Sequence, residues 1–166
     1  MTRTSLDSLP CSWARAIDIV GDKWTLMILR DAFAGVSVFS DFRRNLGVAP
    51  NILSDRLDRL VTHGILDKRP VRPGVERYDY RLTARGKALF PVLTSLGQWG
   101  DKWIFGSDGE PVRVLDRKNR APIQSVAVTA RDGRYLEADD VVYAPGPGAP
   151  DVLRRALECR DDADET

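Results

Sequence analysis

Residues 50–64 read PNILSDRLDRLVTHG. With Leu53 at the centre of a helical wheel, Leu57, Leu60 and Val61 fall beside it, at the i, i+4, i+7, i+8 spacing of a helix that buries one face. Asn51, Asp55, Asp58 and Thr62 take the opposite face, with Ser54 and Arg59 at its edges and Arg56 near the core margin. Pro50 suits a first helical turn and Gly64 a left-handed C-cap. A short helix with a small, polar, exposed first turn reads as a DNA recognition helix.

The flanks support that reading. Val38–Leu46, VFSDFRRNL, forms a short helix with Phe39, Phe42 and Leu46 inward and Arg43 and Arg44 outward. Gly47-Val48-Ala49 is a tight turn, so the pair has the pattern of a helix-turn-helix. A generic helical hairpin has the same pattern, and the segment that follows discriminates. Ile65–Arg69 reads as a strand, Pro70–Val75 as a turn and Glu76–Leu82 as an alternating, exposed strand. This is a β-hairpin with a basic tip, placed directly after the candidate recognition helix, and position and charge together make it a wing. An ordinary hairpin solubilised by arginines is the plainer alternative.

Residue chemistry assigns roles within this unit. Asn51 can pair bidentately with adenine, Ser54 can reach a base or a phosphate, and Asp55 can accept from cytosine N4 or face water. Arg56 either braces the helix or meets a phosphate. Arg43, Arg44 and Arg59, with Arg69, Arg72 and Arg77 of the wing, are phosphate candidates. Ala49 stands where a Ser or Thr cap would help, at a cost of ~1 kcal/mol. His63, the sole histidine, meets the dipole at the helix C-terminus.

Upstream, Ser12–Val20 and Lys23–Phe33 have helical spacing and are separated by Gly21-Asp22. Downstream, Thr83–Trp103 is the longest helical pattern, and Pro91 should kink or split it. Its stripe of Leu89, Val92 or Leu93, Leu96, Trp99 and Trp103 exceeds what three helices cover, so we expect a homodimer joined by the Trp13 helix. Folding back of the C-terminal segment over the stripe is the alternative. Trp13, Trp24, Trp99 and Trp103 line either a pocket for a planar aromatic effector or simply core and interface.

Charge is segregated. Residues 1–107 carry 16 Lys+Arg against 11 Asp+Glu, and residues 108–166 carry 9 against 13. Within 43–87 the count is 11 against 5. The basic excess around the reading helix suits a polyanion. The two cysteines, Cys11 and Cys159, make neither a disulfide framework nor a zinc site. With no apolar run of spanning length and no signal segment, the expectation is a soluble cytoplasmic protein. One histidine and no nucleophile–base pattern argue against an enzyme.

GDKWTLMILRDAFAG, VFSDFRRNLGVAPNILSDRLDRLVTHGILDKR and YRLTARGKALFPVLTSLGQWG, in order from about Cys11 to Gly100, resemble the HxlR-type winged-helix transcriptional regulators. The resemblance implies a homodimer on a two-fold-related double-stranded operator, with the recognition helices about one helical turn apart, ~34–36 Å. It also implies that Cys11, just before the first helix, is the switch in members that sense electrophiles or oxidants. A thiolate there would be stabilised by the helix dipole, with Arg15 nearby, whereas a small buried apolar group is the bland reading. The C-terminal part resembles a zinc-ribbon extension of longer members. Lys118, Asn119 and Arg120, and Val128–Gly133, stand where Cys pairs would fall, so the resemblance implies a metal-free hairpin held by strand pairing and packing.

The expected fold is therefore mainly α with a small β component: a winged-helix DNA-binding and dimerisation domain over 1–106 and a small β-rich extension over 107–166. In that extension Pro111–Leu115, Ile123–Thr129 and Val141–Tyr143 read as strands, PGPGAP at 145–150 as a linker, and Asp151–Arg160 as a helix before a loose acidic tail. The expected function is a dimeric DNA-binding regulator, a repressor, answering to a small aromatic or electrophilic effector and needing no metal or cofactor. The alternatives are a constitutive DNA-binding regulator and a protein-interaction module on a winged-helix scaffold.

Overall fold

The computed structural model describes residues 6, 9–72, 77–106 and 109–164, with side chains described as far as residue 157. The chain divides into two compact units, one of Arg15–Val126 and one assembled from the N-terminal residues to Ala14 and from Ala127 onward.

In the first unit the helices follow the apolar periodicity closely. α1 spans Ser12–Val20, its start lying in the other unit, and α2 spans Lys23–Phe33. Asp22 caps α2 by accepting from the backbone N–H groups of Trp24 and Thr25. α3 covers Phe39–Leu46 and ends at Gly47, whose φ of +61° is left-handed. α4 runs Pro50–Thr62 with Pro50 in its first turn, no side-chain cap from Ala49, and Gly64 at φ +66° just beyond. Leu53, Leu57 and Leu60 of α4 meet Ile28 and Leu29 of α2 and Phe42 of α3 in one buried cluster. Each of these six is almost wholly removed from water, so apolar burial is the main stabilising force of the trihelical unit.

The wing is β1, Leu66–Pro70, paired antiparallel with β2, Tyr78–Leu82. Leu66 faces Leu82 and Pro70 faces Tyr78. The hairpin begins one residue later on β1 and two later on β2 than the periodicity predicts. Residues 73–75 of its expected turn and Glu76 of the expected second strand lie outside the described residues, and Val71 N–H donates to the Arg77 carbonyl at their margin (2.8 Å). Val38, read from sequence as the start of α3, is instead extended and bridges Asp79, while Tyr80 N–H donates to the Ser37 carbonyl at 2.7 Å. Residues 37–38 thus add a short third rung to the wing.

Pro91 splits the long pattern. α5 is a single turn, Ala84–Lys87, and α6 is Phe90–Gly100 with Pro91 in its first turn, where a missing N–H is harmless. α5 docks on the end of α4. Thr83 Oγ1 donates to the Gly64 carbonyl at 2.6 Å and accepts from Gly86 N–H, and Arg85 donates to the His63 carbonyl at 2.8 Å. Gly86 is required there, because a Cβ would lie 2.2 Å from the Ile65 carbonyl oxygen. Arg85 places a cation at the C-terminus of α4, where sequence reading also set His63, the C-cap residue. α6 continues into a π-helical turn, Asp101–Phe105.

The C-terminal region departs from the expected hairpin. Instead of strands at 111–115, 123–129 and 141–143, single bridges join Leu115 to Pro122 and Thr129 to Tyr135. Each closes a tight turn held by side-chain-to-backbone bonds. Asp116 accepts from Lys118 N–H (2.6 Å) and Asn119 from Ala121 N–H (2.9 Å) in one; Asp132 accepts from Arg134 N–H (3.1 Å) in the other. Lys118, Asn119 and Arg120 therefore keep a turn by local bonding rather than by regular strand pairing. In the second unit Trp13 meets Tyr143 edge-on, centroids 5.5 Å apart. α7, Asp151–Asp164, extends past the expected helix end at Arg160 and includes most of the acidic tail.

Candidate nucleic-acid interface

α3, the 47–49 turn and α4 place the first turn of α4 at the surface. Asn51 in that turn and Ser54 and Asp55 in the next are exposed, and buried Val48, packed beneath the 47–49 turn, fixes the entry of the chain. Arg43 is exposed on α3, and Arg44 pairs with Asp41 at 3.0 Å. Arg69, Arg72 and Arg77 are exposed on the wing, and Arg69 also pairs with Asp67 (2.6 Å). The same unit thus carries a polar helix turn and a basic hairpin, the two components the sequence singled out.

Arg56 and Arg59 behave differently from the surface arginines. Arg56 is half-buried: Nε donates to Asp22 Oδ1 at 2.8 Å, Nη2 to Asp22 Oδ2 at 3.3 Å, and Nη1 to the Asp55 carboxylate. Of the two roles open to Arg56, bracing is the one this geometry fits. Burial by itself would raise the Asp22 carboxyl, but Arg56 and the amides of Thr25 and Trp24 outweigh it and hold the group below its ordinary value. Arg59, also half-buried, donates to the Asp18 carbonyl at 3.0 Å.

Two further residues shape the wing and were not singled out from sequence. Lys68 reaches Asp58 of α4 at 3.4 Å and lies 4.7 Å over the Tyr78 ring, tying β1 to the helix. Burial would lower its pKa, and the Tyr80 and Asp58 oxygens raise it instead. The Ser37 hydroxyl donates to Asp79, the largest influence holding that carboxyl below its ordinary value, with Arg81 adding to it against burial. The alternation of β2 marks Asp79 as half-buried, but its partner 42 residues upstream leaves no local signal.

The tryptophans separate. Trp24 packs against the core under the Lys23 ammonium, 5.1 Å from its ring centroid. Trp99 and Trp103 are 57% and 66% exposed, and Val92 and Leu96 of the same stretch are also open, whereas Leu89 and Leu93 pack on the core. In the other unit Trp13 is 64% exposed, and half-buried Cys11 directly precedes α1. Cys159 falls in α7, its side chain outside the described residues.

A family model described as HxlR-like helix-turn-helix matches residues 19–108. The chain belongs to the HxlR-like helix-turn-helix family. An HTH-type transcriptional regulator of Mycobacterium tuberculosis, Rv3095, is 38% identical over 137 residues, covering 82% of this chain and 87% of that protein. Among solved structures, PA1607, a candidate transcription factor, is 39% identical with a TM-score of 0.79, covering 86% of this chain and all of that one. The redox regulator HypR in its oxidised form is 27% identical with a TM-score of 0.51, over 55% of this chain and 95% of that one. This HxlR-like chain is accordingly a transcriptional regulator with a helix-turn-helix DNA-binding fold, mainly helical with a two-stranded wing. Among the described residues no helix is long and apolar enough to cross a membrane.

Proposed function

We propose that this regulator binds a two-fold-related operator as a homodimer, with α4 in the major groove. The observation that carries the reading is the exposed polar face of the first two turns of α4, Asn51, Ser54 and Asp55, in one compact unit with a basic wing. Asn51 and Ser54 read base edges, while Arg43, Arg44, Arg69, Arg72 and Arg77 meet phosphates and set the register. The open apolar face of Val92, Leu96, Trp99 and Trp103 pairs with its copy across the two-fold, and Ile17 of α1, also exposed, extends that contact. Occupying an operator that overlaps a promoter makes the protein a repressor. The proposed functional division is reading and dimerisation over 1–106 with 107–166 as an appended extension, a boundary that differs from that of the compact units, which divide after Ala14 and after Val126.

The test is fluorescence anisotropy on duplexes that the protein selects from a random library, repeated across a salt series. Binding falls with salt by about 0.9 in log–log slope per phosphate neutralised, and alanine at Arg43, Arg69, Arg72 or Arg77 each flattens that slope by about one. Affinity without sequence preference or salt dependence refutes the reading.

Control by a small aromatic or electrophilic effector acts, in this reading, at Cys11 and Trp13. It is supported by the position of Cys11 at the start of α1 and by the likeness to HypR. Such an effector works only by binding or modifying one arrangement of the reading helices in preference to another.

A further inference from the structure

Asp22 does two things with one carboxylate. It caps α2 through the N–H groups of Trp24 (3.0 Å) and Thr25 (3.2 Å), and it receives two nitrogens of Arg56 from 34 residues away. The third nitrogen of that guanidinium goes to Asp55, the adjacent residue on α4. One turn further along, Arg59 donates to the Asp18 carbonyl in the last turn of α1. Both arginines on this flank of α4 therefore end on the corner between α1 and α2.

The core does not need these contacts to hold α4. Leu53, Leu57 and Leu60 already press the helix onto α2 and α3. Apolar contact is non-directional, so it sets how close the helix lies better than how it is rotated about its axis. A guanidinium donating from two nitrogens to one carboxylate is directional. Arg56 follows Ser54 by two residues and Asn51 by five, so the rotation it fixes aims both side chains. Its remaining nitrogen neutralises Asp55, a carboxylate on the exposed face that would otherwise repel phosphates.

We propose that Arg56, gripped by Asp22, is a positioning residue of the reading helix: it sets the rotation that aims Asn51 and Ser54 and screens the charge of Asp55, without itself touching DNA. The inference rests on the reading of α4 as the groove-entering helix. It makes the α1–α2 corner the reference frame of the reading head, since a shift of Asp22 is passed through Arg56 to the first turn of α4.

The experiment uses the full chain, as wild type, Arg56→Gln, Asp22→Ser and the double variant. Serine still caps α2 through its hydroxyl but offers Arg56 no carboxylate. The probes are a duplex selected by the wild type from a random library and a scrambled duplex of equal composition, with thermal unfolding recorded for each protein. Each single variant is expected to lose about tenfold or more on the selected duplex, with the salt slope little changed; scrambled-duplex affinity is little changed in Asp22→Ser and falls a few-fold at most in Arg56→Gln, which unscreens Asp55. The double variant is expected to lose no more than the worse single, the signature of one shared interaction. A silent Asp22→Ser beside an Arg56→Gln that flattens the salt slope by about one overturns the proposal, because Arg56 then contacts phosphate. Wild-type affinity in both singles overturns it as well. If Arg56→Gln does not fold, Asp22→Ser alone decides. A wild type that selects no duplex refutes the DNA reading before any variant is made, and the proposal falls with it.

Discussion

Replacing Trp99 with alanine tests the dimer most severely. Trp99 is 57% exposed in the single chain, so of the ~250 Å² a tryptophan can bury, roughly 140 Å² is open. At ~25 cal/mol per Å² that surface is worth up to about 3.5 kcal/mol per copy, and a two-fold interface contains it twice. Lost rotational freedom and imperfect packing consume part of this, and central tryptophans at interfaces typically cost 2–4 kcal/mol on truncation. Since both copies are removed, we therefore expect Trp99→Ala to weaken self-association by at least about 30- to 1,000-fold, the cost of one copy. Because the side chain is open in the protomer, thermal unfolding of the monomeric variant should show a native fold. Sedimentation equilibrium over a range of concentrations gives the constant directly, and operator affinity should fall in parallel, since one copy holds only one half-site. A wild type that sediments as a monomer at tens of micromolar, or a variant that associates as the wild type does, refutes the reasoning.

Leu57, fully buried between α2 and α3, should cost about 2–5 kcal/mol on truncation to alanine, read by chemical denaturation. Asp22 and Asp79 have carboxyls held below their ordinary values, so their contribution is full above the unfolded carboxylate range near pH ~3.9 and is lost as pH falls through the lower folded values. Denaturation at pH 7 and pH 3 should show that loss, and Asp22→Asn should reduce it; an equal loss in the variant contradicts the assignment. Diamide should shift operator affinity of the wild type and leave Cys11→Ser unmoved, and an identical response removes Cys11 as the switch.

The helices were legible because their apolar spacing, their punctuation by Gly and Pro and the α4 stripe all agree. Pro91 split its helix where backbone chemistry requires. What escaped was non-local or marginal. Asp22 follows Gly21 as a cap should, but nothing near it in the chain announces Arg56. Val38 continues a helical pattern, yet the wing recruits it as an extended rung because Asp79 is within pairing reach. The valines after residue 110 alternate like strands, but Val112, Val128 and Val142 are 72%, 65% and 84% exposed, and with so little apolar surface buried only single bridges form. At the interface, the exposed turn and wing arginines were readable from type and position. Arg43 outward and Arg56 at the core margin were readable too, but which of its two roles Arg56 takes was not, since that follows from Asp22 lying within reach of its half-buried side chain.

The central claim is that the first turn of α4 reads bases. It is tested most directly by the affinity of Asn51→Ala for the selected duplex against the scrambled one. A lost bidentate base contact costs about 1–3 kcal/mol, roughly 5- to 150-fold, on the selected duplex and leaves the scrambled duplex unaffected. Equal losses on the two duplexes, or none on either, would contradict it.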